Sequence, residues 1–197
     1  MSDSAVTRRS QAKSDRRGQL IAAAERLVAE RGYLAVRLED IGSAVGISGP
    51  AIYRHFPNKE ALLVELLVGI STRLLAGAQD VVSRTDDAAE SLNGLVDFHL
   101  DFVFGESDLI RIQDRDLAHL PDAARRQVRR AQRQYVEIWV TVLTRLNPDL
   151  AEDDARVMAH AAFGLLNSTP HIVRPAVPKA HSRTVLRKMT LAALTAG

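Results

Sequence analysis

Leu38-Glu39-Asp40-Ile41-Gly42-Ser43-Ala44-Val45-Gly46-Ile47-Ser48-Gly49-Pro50-Ala51-Ile52-Tyr53-Arg54-His55 reads as helix, tight turn, helix. Leu38, Ile41 and Val45 recur at i, i+3, i+7, one face of a helix of about two turns. Gly46 breaks it. Ser48 can cap the next helix by accepting a bond from a first-turn backbone N–H. Pro50 then falls in that first turn, where its missing N–H costs little. This second helix runs to about His55 and stops before Pro57. Two short helices joined by a glycine-containing turn form a helix-turn-helix, the arrangement whose second helix enters the DNA major groove. The same geometry serves as plain packing in many helical proteins, and the pattern alone leaves both readings open.

The residue types fit the groove. It is ~12 Å wide and admits one helix, which should turn small and polar residues outward so that its backbone can approach. The outward set is Ser48, Gly49, Ala51, Arg54 and His55; the inward set is Ile47, Ile52 and Phe56, packing on Leu38 and Ile41. Arg54 and His55 can donate to phosphates or base edges, and the Tyr53 hydroxyl can bond a phosphate. Lys59 adds a cation and backbone N–H groups at the start of the next helix.

Helical periodicity continues in both directions. Upstream, Leu20, Ile21, Ala24, Leu27 and Val28 mark one face of a helix over about Asp15 to Arg31. Gly32 follows, where a left-handed C-cap is common. Downstream, Asn58 caps a helix from Lys59 to about Val82, with Leu63, Leu67, Ile70 and Leu74 aligned. Amphipathic segments follow at about 88–104, 107–118, 121–146, 149–168 and 181–195. Pro170, Pro175 and Pro178 make 169–179 a loop. Strand signals are nearly absent. The fold expected is all-α: a disordered basic arm over 1–14, a helix-turn-helix domain over 15–66, and an effector-binding and dimerisation domain over 67–197.

Composition narrows the function classes. The chain has 197 residues, 46% hydrophobic and 25% charged, enough apolar side chain for a core. With 0 cysteines, disulfides, thiolate metal sites and cysteine nucleophiles are excluded. The formal net charge is +2, and the excess lies in the arm, where Arg8, Arg9, Lys13, Arg16 and Arg17 outnumber Asp3 and Asp15. No apolar run approaches the ~18 residues of a membrane span, and no signal peptide is legible, so a soluble cytoplasmic protein is expected. The 6 histidines include no pair three or four apart, so no helical metal pair arises. Phosphate-binding glycine loops and the GxSxG elbow are missing too. Neither enzymatic activity nor a metal or other cofactor is expected.

The stretch Asp40 to Leu62, above all Ile52-Tyr53-Arg54-His55-Phe56-Pro57-Asn58-Lys59-Glu60-Ala61-Leu62, closely resembles the DNA-binding signature of the TetR (tetracycline-repressor) family of bacterial transcription regulators. The motif likeness covers about residues 16–67; beyond it, length and helicity agree. The resemblance implies a homodimeric repressor of a palindromic operator, released by a small, mostly apolar effector, acyl-coenzyme A or a lipid-like molecule among the candidates. The alternative is an effector-independent architectural or activating DNA-binding protein. By position, Tyr53 and Lys59 match phosphate contacts, and Ser48, Gly49, Pro50 and Ala51 fall where the recognition helix approaches bases. Arg37 stands where the family often has a phosphate-binding threonine, and Gly49 where lysine is frequent. Glu39 can accept from a cytosine amino group or form an intrahelical pair away from DNA.

The resemblance also implies dimerisation through helices near 151–168 and 181–195. Ala155, Met158, Ala159, Ala162 and Leu166 offer a small-residue face on the first, and Val185, Leu186, Met189 and Ala193 line the second. The effector pocket is expected among Phe98, His99, Phe102, Ile110, Asp114, Tyr135, Trp139, Phe163, Asn167 and His171. Arg125, Arg126, Arg129, Arg130 and Arg133 form either a solvated face, pairing with acids such as Asp122, or a site for the phosphorylated end of a ligand.

Overall fold

The computed structural model describes residues 3–168 and 178–195. Of the loop expected over 169–179, residues 169–177 with His171 lie outside them, as do the side chains of residues 1–13, and Lys179 already begins the last helix. The described chain is all-α. Its helices are α1 (Asp3–Arg31), α2 (Leu38–Ala44), α3 (Gly49–Ile52), α4 (Lys59–Ser83), α5 (Ala88–Gly105), α6 (Ser107–Asp116), α7 (Asp122–Leu146), α8 (Glu152–Asn167) and α9 (Lys179–Thr195), with a short 3₁₀ turn at Leu117–His119.

α1 departs most from expectation. Its backbone is helical from Asp3, so the segment read as a disordered arm forms the first turns of a 29-residue helix. No apolar stripe marks residues 3–14, and periodicity therefore gives no signal there. Ala5, Arg8, Arg9, Gln11, Ala12 and Lys13 are nonetheless good helix formers, and no glycine or proline intervenes before Gly18. The helix ends at Gly32, whose φ of +89° suits a residue without a Cβ. Gly32 N donates to Val28 O at 2.8 Å.

Two apolar clusters share the interior. The first joins α1 to α4 and includes Leu20, Leu27, Val36, Leu38, Ile41, Ile52, Phe56 and Leu63, with Leu109 and Ile112 of α6 and Val128 of α7 completing it. The second gathers α5, α7, α8 and α9 around Trp139, Leu95, Leu100 and Leu143. α4 belongs to both, so the boundary expected at residue 66 falls inside a continuous helix.

α4 is also the exception to the expectation that no segment is apolar enough to cross a membrane. By length and hydropathy it passes that test. Its apolar residues are spent within the protein: Leu62, Leu63, Leu66, Leu67, Ile70 and Ala78 are buried.

The small-residue face of α8 is likewise used inside the chain. Ala155, Ala159, Ala162 and Leu166 are all buried, because small side chains let α8 approach α7 and α9 of the same subunit. The exposed residues of α8 include the small or apolar Val157, Ala161 and Gly164. On α9, Leu186 is buried whereas Val185, Met189 and Ala193 are exposed. Arg187 fixes α9 against α5, with Nε donating to Asp97 Oδ1 at 2.9 Å and a terminal nitrogen donating to Asn93 Oδ1 at 2.8 Å.

Candidate nucleic-acid interface and ligand cavity

The turn between α2 and α3 is built on two glycines. Gly46 has φ +72°, and Gly42 lets the two helices close: a Cβ there would meet Ile47 Cγ1 and Ile47 O, each at 3.4 Å. Ile47 N donates back to Gly42 O at 2.9 Å. Ile52 and Phe56 are fully buried, and Ile47 packs against the same cluster, so α3 is anchored by its inner face.

Ser48 occupies the N-cap position of α3, but its hydroxyl makes no cap bond. Pro50 removes one first-turn donor, and the Ala51 N–H is taken by the Ser48 backbone carbonyl at 2.9 Å. The hydroxyl is exposed and uncommitted. Pro50, Tyr53 and Arg54 are also exposed, while Gly49, Ala51 and His55 are half-buried. Arg37, at the N-cap of α2, is exposed, and its backbone N–H donates to Asp40 Oδ2 at 2.9 Å.

Three side chains depart from their expected roles. The Tyr53 hydroxyl donates to Glu39 Oε1 at 2.5 Å, so Glu39 reaches from α2 to the end of α3 instead of pairing within its own helix. This bond holds the Glu39 carboxyl below, and the Tyr53 phenol above, its ordinary pKa. Gly49 makes room, since a Cβ there would lie 3.3 Å from Glu39 Cγ. Lys59 turns inward. Its ammonium donates to the carbonyls of Tyr33, Leu34 and Val36 at 2.8, 3.3 and 3.0 Å, and sits 4.5 Å from the centre of the Tyr33 ring. An ammonium has three donors, and all are spent on the α1–α2 connection. What α4 still offers a phosphate is the positive end of its dipole. Arg17, counted with the basic arm, is a brace. It pairs with Glu65, donates to His55 O at 2.7 Å and lies over Phe56. Arg16 is exposed beside the turn, donating to Val45 O at 3.2 Å, and joins Arg37 and Arg54 as a cation near the reading face.

A cavity of about 220 Å³ opens in the second half of the chain. His99, Phe102, Ile110, Tyr135, Phe163 and Asn167 surround it as expected. Ile70, Ser71 and Leu74 of α4, Leu109 and Gln113 of α6, Ala131, Gln132 and Val136 of α7, and His160 of α8 complete the lining. Three expected residues lie elsewhere. Phe98 fills the notch left by Gly77 where α4 meets α5. Trp139 is fully buried behind the wall, 5.0 Å from the Phe163 ring and 6.1 Å from that of His99. Asp114 is exposed and does not line the cavity.

A polar relay crosses the cavity. His99 Nδ1 lies 2.8 Å from the Tyr135 hydroxyl and Nε2 lies 3.0 Å from Asn167 Oδ1. Asn167 Oδ1 only accepts, so the proton sits on Nε2 and Tyr135 donates to Nδ1. Burial pushes the His99 pKa down to about 4 and the Tyr135 phenol well up, which keeps both neutral.

Comparison with known proteins bears on both sites. Residues 20–66 match the sequence profile of bacterial regulatory proteins, tetR family, and residues 85–175 match a tetracyclin repressor-like C-terminal domain. The transcriptional repressor KstR2 of Mycobacterium tuberculosis is 31% identical over 154 residues, 71% of this chain and 74% of that one. This chain belongs to the TetR family. The solved structure of the ketosteroid transcriptional regulator KstR2 superposes with a TM-score of 0.79 at 25% identity, covering 92% of this chain and 94% of that one. The transcriptional activator FasR of Mycolicibacterium smegmatis is 30% identical over 76% of this chain, and the match spans 65% of its length, just under two thirds. AibR, solved in complex with isovaleryl coenzyme A and operator DNA, shares the fold with a TM-score of 0.75 at 19% identity, over 88% of this chain and 97% of that one.

In this TetR-family chain, the expected DNA contacts Arg37, Ser48, Pro50, Tyr53 and Arg54 are each exposed. The Glu39–Tyr53 bond and the Arg16 position were missed because each joins residues of different helices, which local spacing does not report. The cavity residues from α4 were missed for a related reason. Ile70 and Leu74 read as an ordinary apolar face of α4, and spacing does not report that this face borders a cavity.

Proposed function

We propose that this TetR-family regulator is a homodimeric repressor of a palindromic operator, acting in the cytoplasm and released by a small, mostly apolar effector. The observation that carries the reading is the start of α3. Ser48 and Pro50 project from a helix anchored by Ile52 and Phe56, with Tyr53, Arg54, Arg37 and Arg16 around them. α3 would lie in the major groove with Ser48, Gly49, Pro50 and Ala51 toward base edges, while the cations and the Tyr53 hydroxyl meet phosphates. Glu39 is an acceptor only. It would tolerate a cytosine or adenine amino group and repel an acceptor edge. Releasing Tyr53 to a phosphate would free that carboxylate for a base.

Two copies would join through the faces that intrachain packing leaves uncovered. Val157, Val185 and Met189 are 68, 40 and 50% exposed. A Cβ on Gly164 would meet nothing within 4 Å in the same subunit, so the space beside it is free for a partner helix. The dimer sets two α3 helices about one DNA turn apart, ~34–36 Å.

Release would run through the elements that share the cavity. Its lining includes α4, which leads back to the helix-turn-helix, and α6. Arg115 of α6 donates to Val28 O and Ala29 O at the end of α1 and pairs with the buried Asp116. An effector that parts α4 from α6 would therefore shift α1 and α4 together and change the spacing of the two reading heads. A coupling of ~1–3 kcal/mol suffices to lower operator affinity markedly. AibR, which holds isovaleryl coenzyme A, supports an acyl-coenzyme A effector by fold alone. Most of the arginine run does not favour it. Arg125 pairs with Asp122, and Arg126, Arg130 and Arg133 lie nearly opposite the cavity-lining Ala131, Gln132 and Tyr135 at 100° per residue, while Arg129 falls on the side of the cavity-lining Gln132 and Val136. FasR, named an activator, supports the alternative direction of control. Operator-bound protein assayed with Tyr53→Ala and with substitutions at Ala51 tests the docking. Tyr53→Ala should weaken all sequences alike and Ala51 variants should change preference; unaltered affinity in Tyr53→Ala would refute it.

A further inference from the structure

The chemistry of the cavity narrows its ligand, given that it is the effector site. Among the described residues, no Asp, Glu, Lys or Arg lines it. Of its two histidines, His99 is fully enclosed, uncharged and committed at both ring nitrogens, and His160 lies at an exposed position. Tyr135 and Asn167 Oδ1 are engaged in the same relay. Besides the Ser71 hydroxyl, which donates to Leu67 O, and the Asn167 amide nitrogen, the polar groups left over are the side-chain amides of Gln113 on α6 and Gln132 on α7. Both are half-buried, and neither has a hydrogen-bond partner among the described residues. The remaining wall is aliphatic on the α4 and α6 side and aromatic at Phe102 and Phe163.

Such a lining offers an ion no counter-charge. An isolated carboxylate or phosphate taken out of water costs several kcal/mol unless a counter-charge or a set of donors meets it. A neutral carbonyl or hydroxyl costs far less, and two amides can satisfy it. Size adds a second limit. An apolar protein cavity of about 150 Å³ takes benzene, so about 220 Å³ takes one ring with a few further atoms.

We propose that the cavity binds a small uncharged molecule, of about the bulk of a single substituted ring, whose carbonyl or hydroxyl is met by Gln113 and Gln132, and that it rejects the ionised counterpart of the same shape. This rests on the cavity being the effector site, but it can be tested without DNA. Trp139 is the only tryptophan in the chain and packs on His99 and Phe163, so its emission reports occupancy.

The intact protein is titrated at about pH 7.5, where carboxylates are ionised, with matched single-ring pairs: acetophenone against benzoate, and para-methylacetophenone against para-methylbenzoate. Trp139 emission and Tm are read together. A ketone should quench or shift the emission and raise Tm, with its carboxylate partner at least roughly a hundredfold weaker. The Gln113→Leu, Gln132→Leu double variant should lose about tenfold in ketone affinity. Ala131→Phe, which fills the cavity, should abolish the response; its circular dichroism and Tm serve as the folding control. Equal or tighter binding of a carboxylate overturns the proposal, as does the absence of any ketone response up to about 1 mM. A ketone that binds yet leaves operator affinity unchanged sinks the effector reading instead, and leaves the cavity chemistry standing.

Discussion

Lys59 and Glu39 show how far a side chain's role depends on its neighbours. Lysine at the start of α4 suggests a phosphate contact, but the Tyr33, Leu34 and Val36 carbonyls saturate its ammonium. Lys59→Met should therefore cost stability, ~1–3 kcal/mol for charged hydrogen bonds, read as a lower denaturation midpoint. The salt dependence of DNA binding should not change. A lysine bound to phosphate would instead flatten the slope of log K against log salt by ~0.9. Glu39 carries the opposite expectation. It is partly exposed and held by Tyr53, so Glu39→Gln should leave the denaturation midpoint nearly unchanged and relax base preference at one position of each half-site. A binding-site selection with both proteins measures it, and identical preferred sites would remove Glu39 from the interface.

At the scale of elements, the free faces of α8 and α9 and the α6–α1 contact carry the predictions. Val157→Asp or Met189→Asp places a charge on surface that the subunit does not use. Each should give a folded monomer by sedimentation, with operator affinity lost and helicity kept. Arg115→Ala removes the donors that hold the end of α1 to α6. It should weaken the effect of any inducer on operator affinity more than it weakens operator binding itself. The helices were legible from periodicity because the apolar positions of α4, α7 and α8 follow the 3.6 repeat. Asn58 was legible as a cap and makes that bond, with Ala61 N at 2.7 Å. The partner of each face was not legible. Ala155, Ala159 and Ala162 suggest close helix approach, and they provide it, but inside the subunit. Ser48 has the right type for a cap and the wrong surroundings, because Pro50 and a backbone carbonyl leave it no donor. A one-dimensional pattern states that a face is apolar or small, and only the fold states what covers it.

For the whole molecule, two buried ionisable groups pull stability in opposite directions. His99 has its pKa depressed from 6.5 to about 4 by burial. The unfolded chain therefore takes up a proton first as pH falls, and His99 costs stability between about pH 6.5 and 4, on the order of 3 kcal/mol across that window. Glu25, on α1, is pushed up to about 7 by partial burial, then by Glu106 and Asp108 against the opposing Arg73. Its folded form holds the proton more tightly, so it costs stability as pH rises from about 4.5 through 7. Glu25→Gln should raise Tm at about pH 8 and leave it unchanged near pH 4.5, the unfolded-state value. His99→Gln should flatten the acid limb below about pH 6.5; an unaltered limb would show that His99 does not titrate as its burial requires. His99 lines the cavity and Glu25 lies on α1, whereas the central claim concerns the surface at α3. The most direct test is a selection of genomic DNA fragments by the purified protein at ~0.1–0.15 M salt, where non-specific phosphate binding is already weakened. Recovery of a short palindrome, lost in Tyr53→Ala and altered in Ala51 variants, is the predicted result. Recovery of fragments with no shared sequence would contradict it, and would leave the helix-turn-helix as packing alone.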